Sequence, residues 1–319
     1  MDKKPILSVI MPVRNDPRFL GRAVESILGQ TMGDFEFLIV NDGSTDETGS
    51  ILDQYATQDR RIQVFHQENI GLTKSLNRLA HLARGSFIAR QDSDDYSHAE
   101  RFERQLVVMK SNRQLGLLGT NCYILSQEGK VICCERITTG EKRIAKRLPR
   151  RNCFVHGSVM FRSEVFRETG LYYEEYRYAE DYDLFLRISE EYAVDNIAEA
   201  LYYYRINPAS ISVQRSREQL RMAMIVREAC RMRRAGEFEA WTPQIFEALN
   251  KKMDGFWAQR RLDSDTALAR GRNLMLGGDR RGAAHAFLLA SLAIPNPKAF
   301  FHLLRALTGV GHGSVNVFE

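Results

Sequence analysis

Between residues 6 and 91, short apolar runs alternate with longer stretches of helical periodicity, and nothing else in this chain constrains its fold as strongly. The runs cover 6–11, 35–40, 62–65 and 87–89. Each is too short for a helix and reads as a buried strand. In the first, Leu7, Val9 and Met11 alternate with Ser8 and Ile10, and Pro12 is expected to end it. A helix follows to about Gln30, with Asp16 as N-cap, Pro17 at its first position and Leu20, Val24, Ile27 and Leu28 on one face. The turn 41–46 feeds a second helix capped by Thr45 or Asp46. A third spans about 72–83, with Leu76, Leu79, Ala80 and Ala83 inward. This β-α-β-α-β-α-β order predicts a mostly parallel sheet with helices on both faces. Such sheets place ligands beyond the carboxyl ends of their strands.

Further along, 97–112 reads as a helix bearing Phe102, Leu106 and Met109. Segments 117–125 and 130–134 read as a strand pair joined by a turn at Gln127, Glu128 and Gly129. Residues 141–151 are basic and expected to be loosely structured. A strand over 157–162, a short helix from Ser163, a helix over 180–191 and strands at 194–197 and 200–205 complete this part. From about Ser216 only helical patterns remain: 219–234, 242–253, 265–277, 279–294 and 297–307. A boundary near 215 separates an α/β domain, 1–215, from a helical domain, 216–319.

The chain has 319 residues, enough for two domains, and a mild net charge of +5. No apolar stretch reaches the roughly 18–20 residues of a membrane span. The start, Met1-Asp2-Lys3-Lys4-Pro5, lacks a secretory pattern. Five cysteines, an odd number with no CxxC spacing, point to a reducing compartment and away from a zinc site.

The fourth run ends abruptly in Asp92-Ser93-Asp94-Asp95. Crowded carboxylates repel one another unless a cation compensates. Hard divalent metals take such oxygen ligands and share their shell with substrate phosphates. The alternative is a solvated acidic turn, with Asp95 capping the next helix.

Four segments stand together: 8–15 (SVIMPVRN), 40–46 (VNDGSTD), 92–95 (DSDD) and 179–187 (AEDYDLFLR). In content, order and spacing they resemble glycosyltransferase family 2, the inverting nucleotide-sugar-dependent enzymes of GT-A fold. The resemblance covers about residues 5–210. It implies a nucleotide-diphospho-sugar transferase sheet, Rossmann-like and flanked by helices, with an all-helical C-terminal extension.

For single residues the resemblance implies the following roles. Pro12, Val13 and Asn15 present backbone groups to the base, and Asp42 accepts the N3–H of a uracil; a turn-capping Asp42 is the alternative. Gly71 and Lys74 open a helix toward phosphate oxygens, unless Lys74 is a plain surface lysine. Asp92, with Ser93, contacts the ribose or the metal, and Asp94 holds Mn²⁺ or Mg²⁺ against the two phosphates. Asp181 is the catalytic base beside Glu180, and an acidic first helical turn is the competing reading. His156 is a candidate at the acceptor, and Arg205 a candidate closing over the pyrophosphate.

The implied reaction moves a sugar, most readily from a UDP-sugar, to a glycan, lipid-linked or protein acceptor in surface polysaccharide or glycoconjugate synthesis. No nucleic-acid partner is expected. The expected place is cytoplasmic, with peripheral membrane contact through the basic C-terminal helices. A sugar nucleotidyltransferase is a rival, but it would carry a Gly-rich loop where this chain has Pro12-Val13-Arg14-Asn15. A non-catalytic nucleotide-sugar-binding module is a second rival.

Overall fold

A computed structural model of the chain describes residues 4–206, 214–238, 242–294 and 297–308. The first half alternates strand and helix: β1 (Leu7–Val13), α1 (Leu20–Leu28), β2 (Phe35–Asp42), α2 (Thr48–Gln58), β3 (Ile62–Gln67), α3 (Leu72–Leu82) and β4 (Phe87–Arg90). Then come β5 (Tyr96–Ser97), α4 (Arg101–Ser111), β6 (Leu115–Leu125), β7 (Val131–Glu135), α5 (Glu141–Arg147), β8 (Met160–Arg162), α6 (Ser163–Thr169), α7 (Glu180–Glu191) and β9 (Ala193–Arg205).

The strands form one sheet in the order β3-β2-β1-β4-β8-β6-β9-β5, with β7 paired to β6. Pairing is parallel from β3 through β4. Beyond β4 the sheet is mixed: β8 runs antiparallel to both β4 and β6, while β6 and β9 are parallel. All seven residues of β1 and all four of β4 are buried, as expected of strands covered on both faces. Ser8 and Glu36 lie inside this layer and satisfy each other: Ser8 Oγ donates to Glu36 Oε1 at 2.6 Å, and Arg84 Nε donates to Glu36 Oε2 at 2.8 Å. Leu20, Ala23, Val24 and Ile27 of α1 and Phe102, Leu106 and Met109 of α4 pack with β1, β2 and β4 into one core. Burying each large side chain contributes about 1.5–3 kcal/mol.

Several boundaries differ from the sequence expectation. Pro12 does not end β1; it stays in register with Val40, because proline's missing N–H costs little near a strand end. The regular first helix begins at Leu20; the Asp16 carboxylate accepts both Ser93 Oγ–H and the Phe19 N–H of the turn that leads into it. Tyr96 and Ser97 form a short strand against β9, which delays α4 to Arg101. The segment expected to be loose is α5 and a 3-10 turn, anchored by buried Ile144 and Leu148. The last two expected strands are one, β9, with register shifts against β6 near Thr120–Asn121.

Contacts divide the chain into two units, Met1–Glu174 with Glu180–Ile206, and Glu175–Ala179 with Asn207–Glu319. In the second unit lie α8 (Ser216–Arg234), α9 (Pro243–Lys252), α10 (Phe256–Leu276), α11 (Arg280–Ala293) and α12 (Pro297–Thr308). Thr242 caps α9 through Ile245 N–H, and Asp279 caps α11 through Gly282 N–H. Leu268, Ala283, Phe287, Ala290, Ala299 and Ala306 form its core. The arginines of α8, unbalanced in the local sequence, find acids elsewhere: Arg217 pairs with Asp263, Arg221 with Asp254 and Arg231 with Glu237. Among the described residues no helix is long and apolar enough to cross a membrane.

Candidate active site

Strand β4 ends on Arg90, whose side chain is 3% exposed and ion-paired with Asp92 Oδ2. Burial works against the guanidinium, but the carboxylate of Asp92 outweighs it and holds Arg90 above its ordinary range. Asp92 is set from two further sides. Its N–H donates to the Tyr202 hydroxyl at 3.2 Å, and Gly157 leaves room beside it. A Cβ on Gly157 would lie 2.0 Å from that hydroxyl and 2.6 Å from Asp92 Oδ2. Arg101, fully buried, secures the turn between β4 and β5 by donating to Arg90 O and Ser97 Oγ, each at 2.8 Å.

The rest of the acidic loop is crowded. Burial, then Asp92 and Asp16, push the Asp94 carboxyl up to about 7. Asp16 is raised too, by burial, although Ser93 Oγ donates to its Oδ2 at 2.8 Å. Asp95 is buried and raised well above the ordinary range, by burial and then by Asp94 and Asp92. Its Oδ1 accepts Arg205 N–H at 2.7 Å. The Arg205 guanidinium donates to Asp94 O at 2.9 Å, Ser126 O at 3.2 Å and Gln127 O at 2.9 Å, and stacks over Phe19. Arg205 is therefore fastened beneath the acidic loop. Three of its five N–H groups are spent on main-chain carbonyls.

At the neighbouring strand ends, Asp42 caps a turn. Its Oδ1 accepts from Gln67 Nε2 at 2.7 Å and Ile70 N at 2.9 Å, and its Oδ2 from Gly71 N at 2.9 Å. Two carboxylate oxygens offer about four lone-pair sites, so one on Oδ2 remains for a ligand. Asn15, at positive φ (51°), clasps the next loop: its N–H donates to Ser44 Oγ at 3.0 Å and its Oδ1 accepts Thr45 N–H at 2.9 Å. Pro12 and Val13 are buried at the end of β1. Lys74 is half exposed and pairs with Glu174 at 3.4 Å.

On the other side of β4, α7 begins with Glu180 and Asp181. Burial pushes Asp181 up to about 6, against the pull of the Tyr182 N–H, Asn152 and Arg90. Asn152 Nδ2 donates to its Oδ2 at 3.2 Å. Asp183 is buried and paired with Arg187 Nε at 2.8 Å, a structural role. His156 Nε2 lies 2.9 Å from the Tyr172 hydroxyl. Burial, with Arg90 adding to it, keeps His156 neutral by lowering it well below its usual range. Asp92, Asp94, Asp181, His156 and Tyr172 all sense the charge of Arg90. The acidic loop and the head of α7 therefore share one buried cation as their common neighbour.

The donor set suits a hard divalent ion. Asp94 is left protonatable near neutrality because burial and the neighbouring carboxylates outweigh the pull of Arg90, a balance that a bound cation would shift. Among the described residues no three His, Cys, Asp or Glu side chains could hold a metal by themselves. An ion here fits one that completes its shell with phosphate oxygens.

The model of the family described as "Glycosyl transferase family 2" matches residues 8–170. The chain belongs to glycosyl transferase family 2. The O-antigen biosynthesis glycosyltransferase WbnJ of Escherichia coli is 35% identical over 209 residues, 64% of this chain and 81% of that one. Among solved structures, S. aureus TarS 1-349 in complex with UDP-GlcNAc aligns with a TM-score of 0.60 at 16% identity, over 94% of this chain and 88% of that one. The mannosyltransferase PcManGT from Pyrobaculum calidifontis, in complex with GDP-Man and Mn2+, aligns with a TM-score of 0.57 at 16% identity, over 98% and 82%. The α/β unit of this family 2 glycosyltransferase has the GT-A fold. Arg90, Asn152, Gly157 and Tyr202 escaped the sequence reading of its site. Only Arg90 carried a signal, as a lone cation closing an otherwise apolar run.

Proposed function

We propose that this enzyme transfers a sugar from a nucleotide-sugar, a UDP-sugar first among them, to an acceptor hydroxyl with inversion, in surface polysaccharide synthesis. The observation that carries the reading is Asp181: a carboxylate that burial raises to about 6, held by the Tyr182 N–H and the Asn152 side chain. Such a group is ionised at neutral pH yet basic enough to accept a proton. In this reaction the acceptor oxygen attacks the anomeric carbon as Asp181 Oδ takes its proton. The bond from that carbon to the diphosphate breaks, and the nucleoside diphosphate leaves. No enzyme nucleophile is needed, and the configuration inverts.

Asp42 supplies its remaining Oδ2 lone pair to a base N–H, while Pro12, Val13 and Asn15 border the base. Asp92, neutralised and aimed by Arg90, serves the ribose, with Ser93 and Asp16 holding the loop's shape. Mn²⁺ or Mg²⁺ on Asp94, with Asp92 adjoining, would stabilise the charge of the leaving diphosphate. His156, Glu180 and Tyr172 shape the acceptor side. The name of WbnJ supports an O-antigen setting, and TarS and PcManGT support a nucleotide-sugar donor. Incubating the protein with Mn²⁺ and a panel of UDP- and GDP-sugars should give slow hydrolysis of one donor, lost in Asp181→Asn. Turnover of none, or full turnover by the variant, refutes the proposal.

A further inference from the structure

The last residue of β3 stands beside the last residue of β2: Gln67 is in register with Asp42 across the parallel pair. Its side chain is oriented by its neighbours. Arg78 Nη1 donates to Gln67 Oε1 at 2.6 Å, and a guanidinium only donates, so the amide oxygen must face it. The amide nitrogen then points the other way and spends both N–H bonds, one on Asp42 Oδ1 at 2.7 Å and one on Ser75 Oγ at 2.9 Å. Arg78 is itself steadied over the Phe65 ring, 5.6 Å from its centroid.

Asp42, which is buried, also takes two consecutive main-chain donors: Ile70 N–H on Oδ1 and Gly71 N–H on Oδ2, each at 2.9 Å. The loops that carry these groups press together. Gly43 is at positive φ (68°), and a Cβ there would lie 2.6 Å from Asn69 N. Three of about four lone-pair sites on the carboxylate are therefore filled, two of them on Oδ1. The open site is on Oδ2, beside Gly71, where an added Cβ would meet nothing within 4 Å.

We propose that Gln67, held by Arg78, is a specificity-determining residue: by filling the second site on Asp42 Oδ1 it leaves the base a single acceptor, which commits the nucleotide to uracil over guanine. Uracil brings one N–H, at N3. Guanine brings two side by side, N1–H and the 2-amino group, and pairs well only where two acceptors meet them. Here one of the two finds no acceptor, which costs about 10-fold in affinity. This specificity rests on the proposed contact of Asp42 with the base.

The test is calorimetry of the full chain in Mn²⁺ with UDP, 3-methyl-UDP, GDP and IDP. IDP is GDP without the 2-amino group, so comparing these two removes the effect of base size. The wild type should bind UDP tightest, and IDP about 10-fold more tightly than GDP. Gln67→Leu opens a second acceptor and should bring GDP level with IDP or past it. Arg78→Met frees the Gln67 amide to turn and should shift the ratio the same way by less. A merely structural loss would weaken all four ligands alike and leave the ratio where it was. Wild-type GDP binding tighter than IDP overturns the proposal, as does an unchanged ratio in Gln67→Leu or, should that variant not fold, in Arg78→Met. Exclusion of both purines alike also overturns it, because base size would then decide. Undiminished binding of 3-methyl-UDP removes the contact of Asp42 with the base, and this specificity with it, while sugar transfer through Asp181 stands.

Discussion

The parallel half of the sheet and its mixed half solve opposite electrostatic problems. At the ends of β1, β2 and β4, acids are crowded: Asp16, Asp92, Asp94 and Asp95 gather where only Arg90 and Arg205 offset them. At the head of α7 the difficulty is burial, which raises Asp181 although backbone N–H groups, the Asn152 amide and Arg90 pull the other way. In the proposed reaction the first arrangement takes a divalent cation, and the second takes none and lends Asp181 as the proton acceptor. Arg90 stands between them, so one buried charge serves both sides.

The comparison breaks first at Asp181. Asp181→Asn should lower kcat about 10³-fold while leaving Mn²⁺-dependent nucleotide binding unchanged, as read by calorimetry. In the wild type, kcat should fall as pH drops through about 6, where the raised Asp181 gains its proton; a flat profile down to pH 5 would remove the base. Next comes Asp94→Asn, which should weaken nucleotide binding in Mn²⁺ about 100-fold and abolish its metal dependence.

The same change tests the crowding. A carboxyl raised in the folded protein keeps its proton where the unfolded chain has lost it, so folded stability falls as pH rises from about 4 to about 7. Asp94→Asn removes that penalty and should raise the thermal midpoint at pH 7.5 by about 2–4 °C. An unchanged or lower midpoint would mean that the acids do not repel as described.

Arg90→Met sharpens the link between the halves. It should weaken nucleotide binding about 10-fold and add nothing to Asp92→Asn, a non-additivity that a double-mutant cycle reads directly. Full additivity would make Arg90 a packing residue only. Smallest is Arg205→Met, which strands three carbonyls beneath the acidic loop. It should cost about 2 kcal/mol in urea unfolding with kcat nearly unchanged; a large loss of kcat instead would return Arg205 to the pyrophosphate.

Much of this was legible along the chain. The four parallel strands and their helices follow from local periodicity, because each side chain's face is set by residues one turn or two positions away. The four segments that resemble family 2 named Asp42, Asp92, Asp94 and Asp181 from their neighbours alone. Other features were not readable there. Tyr202 meeting Asp92, Asn152 meeting Asp181 and Gly157 making room for both Tyr202 and Asp92 join residues 110, 29 and 65 or fewer positions apart. Arg217 and Arg221 of α8 meet acids 46 and 33 positions away, Asp263 and Asp254, which the local sequence could not show. Local sequence determined which groups exist and which way each points from its own strand or helix. Only the tertiary structure decided which charges meet, because burial and Coulomb interactions act through space and take no account of distance along the chain.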